Sequence, residues 1–124
     1  MARTDLPAVQ KAYDLAKEVL TRAARFPRDQ KFTLGDRLST QAMDVLELVV
    51  AAQYAPDKAA LLQRAHTRLD QLRMTLRLAM EMGPLSNKGF EHVSGIVVEL
   101  GKQVVGWRKH AEARRGEDVQ KPLS

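Results

Sequence analysis

A chain of 124 residues with no cysteine, a net charge of +5 and a pI near 9.8 has room for one domain core, and it excludes disulfide frameworks, thiolate metal sites and cysteine nucleophiles. Its longest apolar runs, such as Leu48-Val49-Val50-Ala51-Ala52, fall far short of the roughly 20 residues of a spanning helix. The start Met1-Ala2-Arg3-Thr4-Asp5 leads into an amphipathic pattern and not a signal peptide, so a soluble, cytoplasmic protein without a membrane partner is expected.

Apolar spacing near 3.6 recurs in four segments and no segment alternates with period two, which predicts an all-α chain. The first helix is expected from Asp5 to Arg25, capped by Thr4 or Asp5, with Pro7 in its first turn and a stripe of Val9, Ala12, Tyr13, Ala16, Leu20 and Ala23. Phe26-Pro27 ends it. Thr33 followed by Asp36 is a capping-box-like start for the second helix, whose apolar set is Leu34, Leu38, Ala42, Val45, Leu46, Val49 and Ala52. Pro56 stops it, and Asp57 can cap the third.

In the third helix Leu62, Ala65, Leu69, Leu72, Leu76 and Ala79 alternate steps of three and four, the spacing of a bundle seam. Gly83-Pro84 is its stop. Ser86 caps a fourth helix carrying Phe90, Val93, Val97, Leu100, Val104 and Trp107, with an end near Arg115-Gly116. Residues 1–116 are therefore expected to form one antiparallel up-down-up-down four-helix bundle, and the polar residues 117–124 a disordered tail.

Two features exceed what one bundle core requires. Val45, Leu46, Leu48, Val49 and Val50 span about 200° of the second helix, against the roughly 100° that a surface helix needs. The fourth helix broadens in the same way through Ile96, Val97 and Val98, and it holds Gly95, Gly101 and Gly106 in its interior, each costing about 0.8–1 kcal/mol relative to Ala. Close approach of another backbone or ring would offset that cost. These helices are the candidates for a subunit interface, with shielding by bundle neighbours as the alternative.

The chain shows no catalytic, metal or cofactor constellation. His66, His92 and His110 are scattered, no Glu-x-x-His pair exists to build a carboxylate-bridged metal site, and no phosphate-loop or dinucleotide glycine pattern occurs. Charge is the remaining candidate for function. Residues 33–56 hold one cation, Arg37, against Asp36, Asp44 and Glu47, while the neighbouring segments are basic. Arg22, Arg25, Arg28 and Lys31 gather at the end of the first helix and in the connector, with Arg37 one turn into the second. Phe26 and Phe32 bracket them. Cations beside exposed rings can hold phosphates and stack bases; the preferred reading is that both rings plug the end of the bundle.

The third helix adds two pairs at i,i+4, Arg64 with Arg68 and Arg73 with Arg77, on opposite flanks of the seam. Like charges at that spacing repel, which calls for partners elsewhere; for Arg73 and Arg77 these are phosphates or the carboxylates of Asp44 and Glu47. Arg108, Lys109, Arg114 and Arg115 follow at the end of the fourth helix, where the macrodipole also favours cations.

The ordered elements Phe26-Pro27, Lys31-Phe32, Leu34, Arg37-Leu38, Leu72-Arg73, Leu76-Arg77-Leu78-Ala79, Leu100-Gly101 and Gly106-Trp107 together resemble the accessory variability determinants of diversity-generating retroelements and their relatives encoded in ribosomal RNA intervening sequences. Val105 stands where family patterns often carry a further glycine. The resemblance implies a non-enzymatic homo-oligomer, a pentameric barrel of four-helix bundles with a basic surface, associating with a reverse transcriptase and with RNA or DNA during template-RNA-dependent cDNA synthesis in mutagenic retrohoming. The alternative is a helical adaptor of the intervening-sequence type whose ligands are proteins only.

Overall fold

The computed structural model describes residues 6–120, with side-chain surroundings for 7–116; the expected caps Thr4 and Asp5 and residues 121–124 lie outside the described residues. Four long helices carry the chain: α1 (Leu6–Ala23), α2 (Asp36–Ala52), α3 (Lys58–Met82) and α4 (Asn87–Gln120), with no strand among the described residues. The fold is an all-α four-helix bundle. α1 packs against α2 and α4, and α3 packs against the same two. Cross-contacts fix the alternation of direction. Gln30 before α2 reaches the Met82 carbonyl at the end of α3, and His92 early in α4 meets Glu18 late in α1. At the opposite end Asp57 before α3 meets Arg115 late in α4.

The α3 seam is buried throughout, and so are Val93, Val97, Leu100, Val104 and Trp107 of α4. Leu38, Ala42, Val45, Val49 and Ala52 complete the core from α2, with Leu34 and Leu46 partly buried against it. α1 differs from expectation. Its core positions are Ala8, Ala12, Leu15, Ala16, Val19 and Ala23, whereas Tyr13 and Leu20 are 55% and 40% exposed. The alanines let the helix sit close to its neighbours, and Leu15 and Val19 fill the space between them. The larger side chains Tyr13 and Leu20, seven residues apart and so on one face, are left outside.

The punctuation of α3 matches its sequence signals. Asp57 Oδ1 accepts from the Ala60 amide at 3.3 Å, and Gly83 closes the helix at φ 106°, accepting the left-handed conformation that lets its amide reach the Ala79 and Met80 carbonyls. Lys58 Nζ donates to the carbonyls of Ala52, Gln53 and Ala55 at 2.8–3.3 Å, satisfying acceptors that the end of α2 would otherwise leave open. At α4, Ser86 Oγ accepts from the Gly89 amide at 3.0 Å. That helix runs on to Gln120 instead of stopping at Gly116.

The connector overturns the capping-box reading. Pro27 holds φ −54° and ψ 151° and opens a short helical turn, Arg28–Gln30, which widens into the π-helical Lys31–Gly35 before α2 begins. Asp36 does not cap. Its amide bonds to the Lys31 carbonyl five residues back, and Thr33 Oγ1 donates back to the Asp29 and Gln30 carbonyls at 3.3–3.4 Å. Gly35 is buried, and a Cβ there would lie 3.4 Å from the Ala23 carbonyl oxygen, so the wide turn presses directly on the end of α1.

The glycines of α4 also depart from expectation. Nothing beyond the helix's own backbone and adjacent residues lies within 4 Å of a Cβ built at Gly95, Gly101 or Gly106. Among the described residues no close approach offsets their helix cost. Gly95→Ala should therefore raise the stability of the isolated chain by about 0.8–1 kcal/mol. Gly83→Ala should lower it by about 1–2 kcal/mol, because alanine is strained at positive φ. Chemical denaturation of the two variants checks the pair, and the same sign for both would refute this account.

Candidate nucleic-acid interface

Helix alternation brings the end of α1, the connector, the end of α3 and the start of α4 to one end of the bundle. The connector is helical, so its cations stand on a defined surface. Arg25, Arg28, Lys31 and Arg37 are all exposed, and among the described residues none has an ion-pair partner. Lys88, in the first turn of α4 and equally exposed, joins this end. The sequence reading missed it, although its place two residues after the Ser86 cap marks it as part of the α4 start.

The two rings part company here. Phe26 is 5% exposed and belongs to the core, plugging the end of the bundle as expected, whereas Phe32 is 65% exposed beside the cations. The wide turn accounts for the difference, since it carries Phe32 away from the face that α2 buries. Arg22 is set apart from the free cations. Its Nε lies 2.7 Å from Glu18 Oε1, one turn back, and its guanidinium passes over Gly89, where a Cβ would stand 2.6 Å from Nη1. Gly89 is thus the glycine of α4 that a close neighbour explains.

The remaining candidates do not form one patch with these. Arg64 is exposed and without an ion-pair partner among the described residues, while Arg68 lies 4.0 Å from Asp44 of α2 and donates to Gln71. Arg77 pairs with Glu81 of its own helix at 3.1 Å. The expectation that Asp44 and Glu47 serve Arg73 and Arg77 is therefore corrected: those arginines sit on the α4 flank of α3, and Asp44 is reached from the α2 flank by Arg68. Among the described residues Arg73 has no ion-pair partner and, like Lys109, it lines a groove between α3 and α4. Arg108 bonds Gln63 across the same pair of helices and lies 3.8 Å from Glu112. Among the described residues no three of His, Asp or Glu converge as a metal site, and no helix is long and apolar enough to cross a membrane.

Fold and surface together define a small, basic four-helix-bundle protein. The bAvd-like family model matches residues 7–111, and the chain belongs to that family; bAvd is the accessory variability determinant of a diversity-generating retroelement. A solved structure of a protein of unknown function from the S23 ribosomal protein family of Bacteroides thetaiotaomicron superimposes with a TM-score of 0.80. It covers 86% of this chain and 99% of that one at 15% identity, a likeness of fold alone. Comparison with curated proteins found no match.

Proposed function

We propose that this chain is a non-catalytic accessory protein that holds RNA or DNA through phosphate contacts, associates with a reverse transcriptase in the cytoplasm, and supports template-RNA-dependent cDNA synthesis in mutagenic retrohoming. The observation that carries the proposal is the connector end. Arg25, Arg28, Lys31 and Arg37 are exposed and have no ion-pair partner among the described residues, and Phe32 is exposed beside them. Phosphate binding with counterion release needs free cations, and an adjacent ring lets a base stack without sequence preference. Membership of the bAvd-like family supports this reading of a retroelement setting.

The working form in this reading is a homo-oligomer, a pentamer, which would multiply the cationic end. Met43 and Val50 of α2, 36% and 38% exposed along the helix whose apolar arc is widest, and Tyr54 just past its end, 79% exposed, support self-association. The test is a titration of labelled RNA at rising salt, with and without the reverse transcriptase, alongside native mass spectrometry. Binding absent at low salt while the polymerase still associates would favour the protein-only adaptor, and a monomer at micromolar concentration would refute the oligomer.

A further inference from the structure

The open groove between α3 and α4 encloses about 460 Å³ and is built differently from the connector end. Its apolar lining is aliphatic, made by Leu69, Val97, Val98 and Val105, and Gly101 and Gly106 line it without side chains. Val98 is 43% exposed. Arg73 stands on the α3 rim, and Lys102 and Lys109 on the α4 rim; among the described residues none of the three has an ion-pair partner. The one carboxylate of the lining, Asp70, lies 3.7 Å from His66.

We propose that this groove docks an amphipathic helix of a partner protein, with aliphatic side chains on its inner face and carboxylates along both flanks. Charge complementarity assigns the flanks, since three unpaired cations face one carboxylate already beside a histidine. The apolar lining assigns the inner face. Aliphatic side chains gain from its apolar surface, whereas a nucleic acid would find no Phe, Tyr or Trp there to stack on. The walls assign the backbone form. Both are helices whose amides are satisfied internally, so an extended segment would meet no free main-chain donors or acceptors, while a helix brings its own hydrogen bonds complete. From Val97 to Lys109 the groove follows about 18 Å of helix, three turns of an occupant. Occupancy also gives Gly101 and Gly106 the close-packed neighbour that this chain does not supply.

The probe is a fluorescein-labelled helical peptide of about 14 residues with Leu at i, i+4, i+7 and i+11 and Glu on both flanks, compared with the same peptide bearing Lys for Glu. Fluorescence anisotropy with the full chain should show binding of the Glu peptide and not of the Lys peptide. Gly101→Leu has open space to occupy and should keep the fold, with a circular-dichroism melt at or above that of the wild type, while weakening the Glu peptide about tenfold or more. The double variant Arg73→Glu with Lys102→Glu should reverse the preference, a readout that folding defects cannot imitate. Equal binding of both peptides, or unchanged binding to Gly101→Leu, would overturn the proposal. So would competition by oligo(U) RNA for the groove, or a shift of Gly101→Leu to a smaller species in sedimentation, which would assign the groove to nucleic acid or to a second copy. RNA binding at the connector is independent of Gly101 and should survive in that variant.

Discussion

Labelled single-stranded RNA bound by this protein should lose roughly 10³- to 10⁵-fold in affinity between 50 and 200 mM salt, the loss that follows when 6–10 phosphates displace condensed counterions. Replacing Arg28 and Lys31 by Glu should flatten that dependence, each lost phosphate contact reducing the slope of log affinity against log salt by about one. Both residues are exposed on the helical connector and have no ion-pair partner among the described residues. Reversing them breaks no contact within the bundle, and the thermal melt should be unchanged. Arg73→Glu separates the two cationic surfaces: it should also leave the melt unchanged, because no carboxylate depends on Arg73, yet it should alter RNA affinity far less than the connector pair. An unaltered slope in the Arg28→Glu, Lys31→Glu variant would remove the connector from the interface.

The largest loss of stability should come from Trp107→Ala. The ring is 5% exposed and sits in the core cluster with Val104 and Leu100, so truncation removes its apolar contacts and leaves a cavity, at a cost of about 3–5 kcal/mol. For a domain of this size the melting temperature should fall by roughly 10–20 °C. The folded wild type should emit with a blue-shifted maximum, and an exposed-type maximum would show that the ring is not buried. No atom of Trp107 lies within 4 Å of a Cβ at Gly101, and the burial of the ring stems from the register it shares with Val93, Val97, Leu100 and Val104.

How far the chain could be read before its structure depended on whether a signal was local. The α3 seam, the Asp57 cap, the Gly83 stop and the Ser86 cap are all set by residues within a turn or two of each other, and each appears as the sequence indicates. Val9 packs partly buried against the core as its spacing indicates, but along the rest of the α1 stripe Ala8, Leu15 and Val19 compete with Tyr13 and Leu20 for the inward face. Size favours the second set, and only the fit of alanines against neighbouring helices selects the first. Pairing of the arginines divides along the same line. Arg22 with Glu18 and Arg77 with Glu81 are four apart and were open to inspection, while Arg68 with Asp44 depends on the rotation of α3 against α2, which no spacing within one helix reveals. The groove that gathers Arg73, Lys102 and Lys109 is likewise a product of packing.

The wide turn at Lys31–Gly35 separates two jobs that a continuous α-helix would lock together. A π-turn is one residue inserted into an α-helix, and one residue is about 100° of rotation. Leu38, Ala42 and Val45 set the phase of α2 against the core; Arg28 before the turn and Lys31 at its first position follow a phase of their own. Losing one residue there would leave the hydrophobic seam of α2 in place and swing the cations about a quarter of the way around the axis. The direction of this cationic face is therefore adjustable by a change in chain length of a single residue, independently of the packing that keeps the bundle folded.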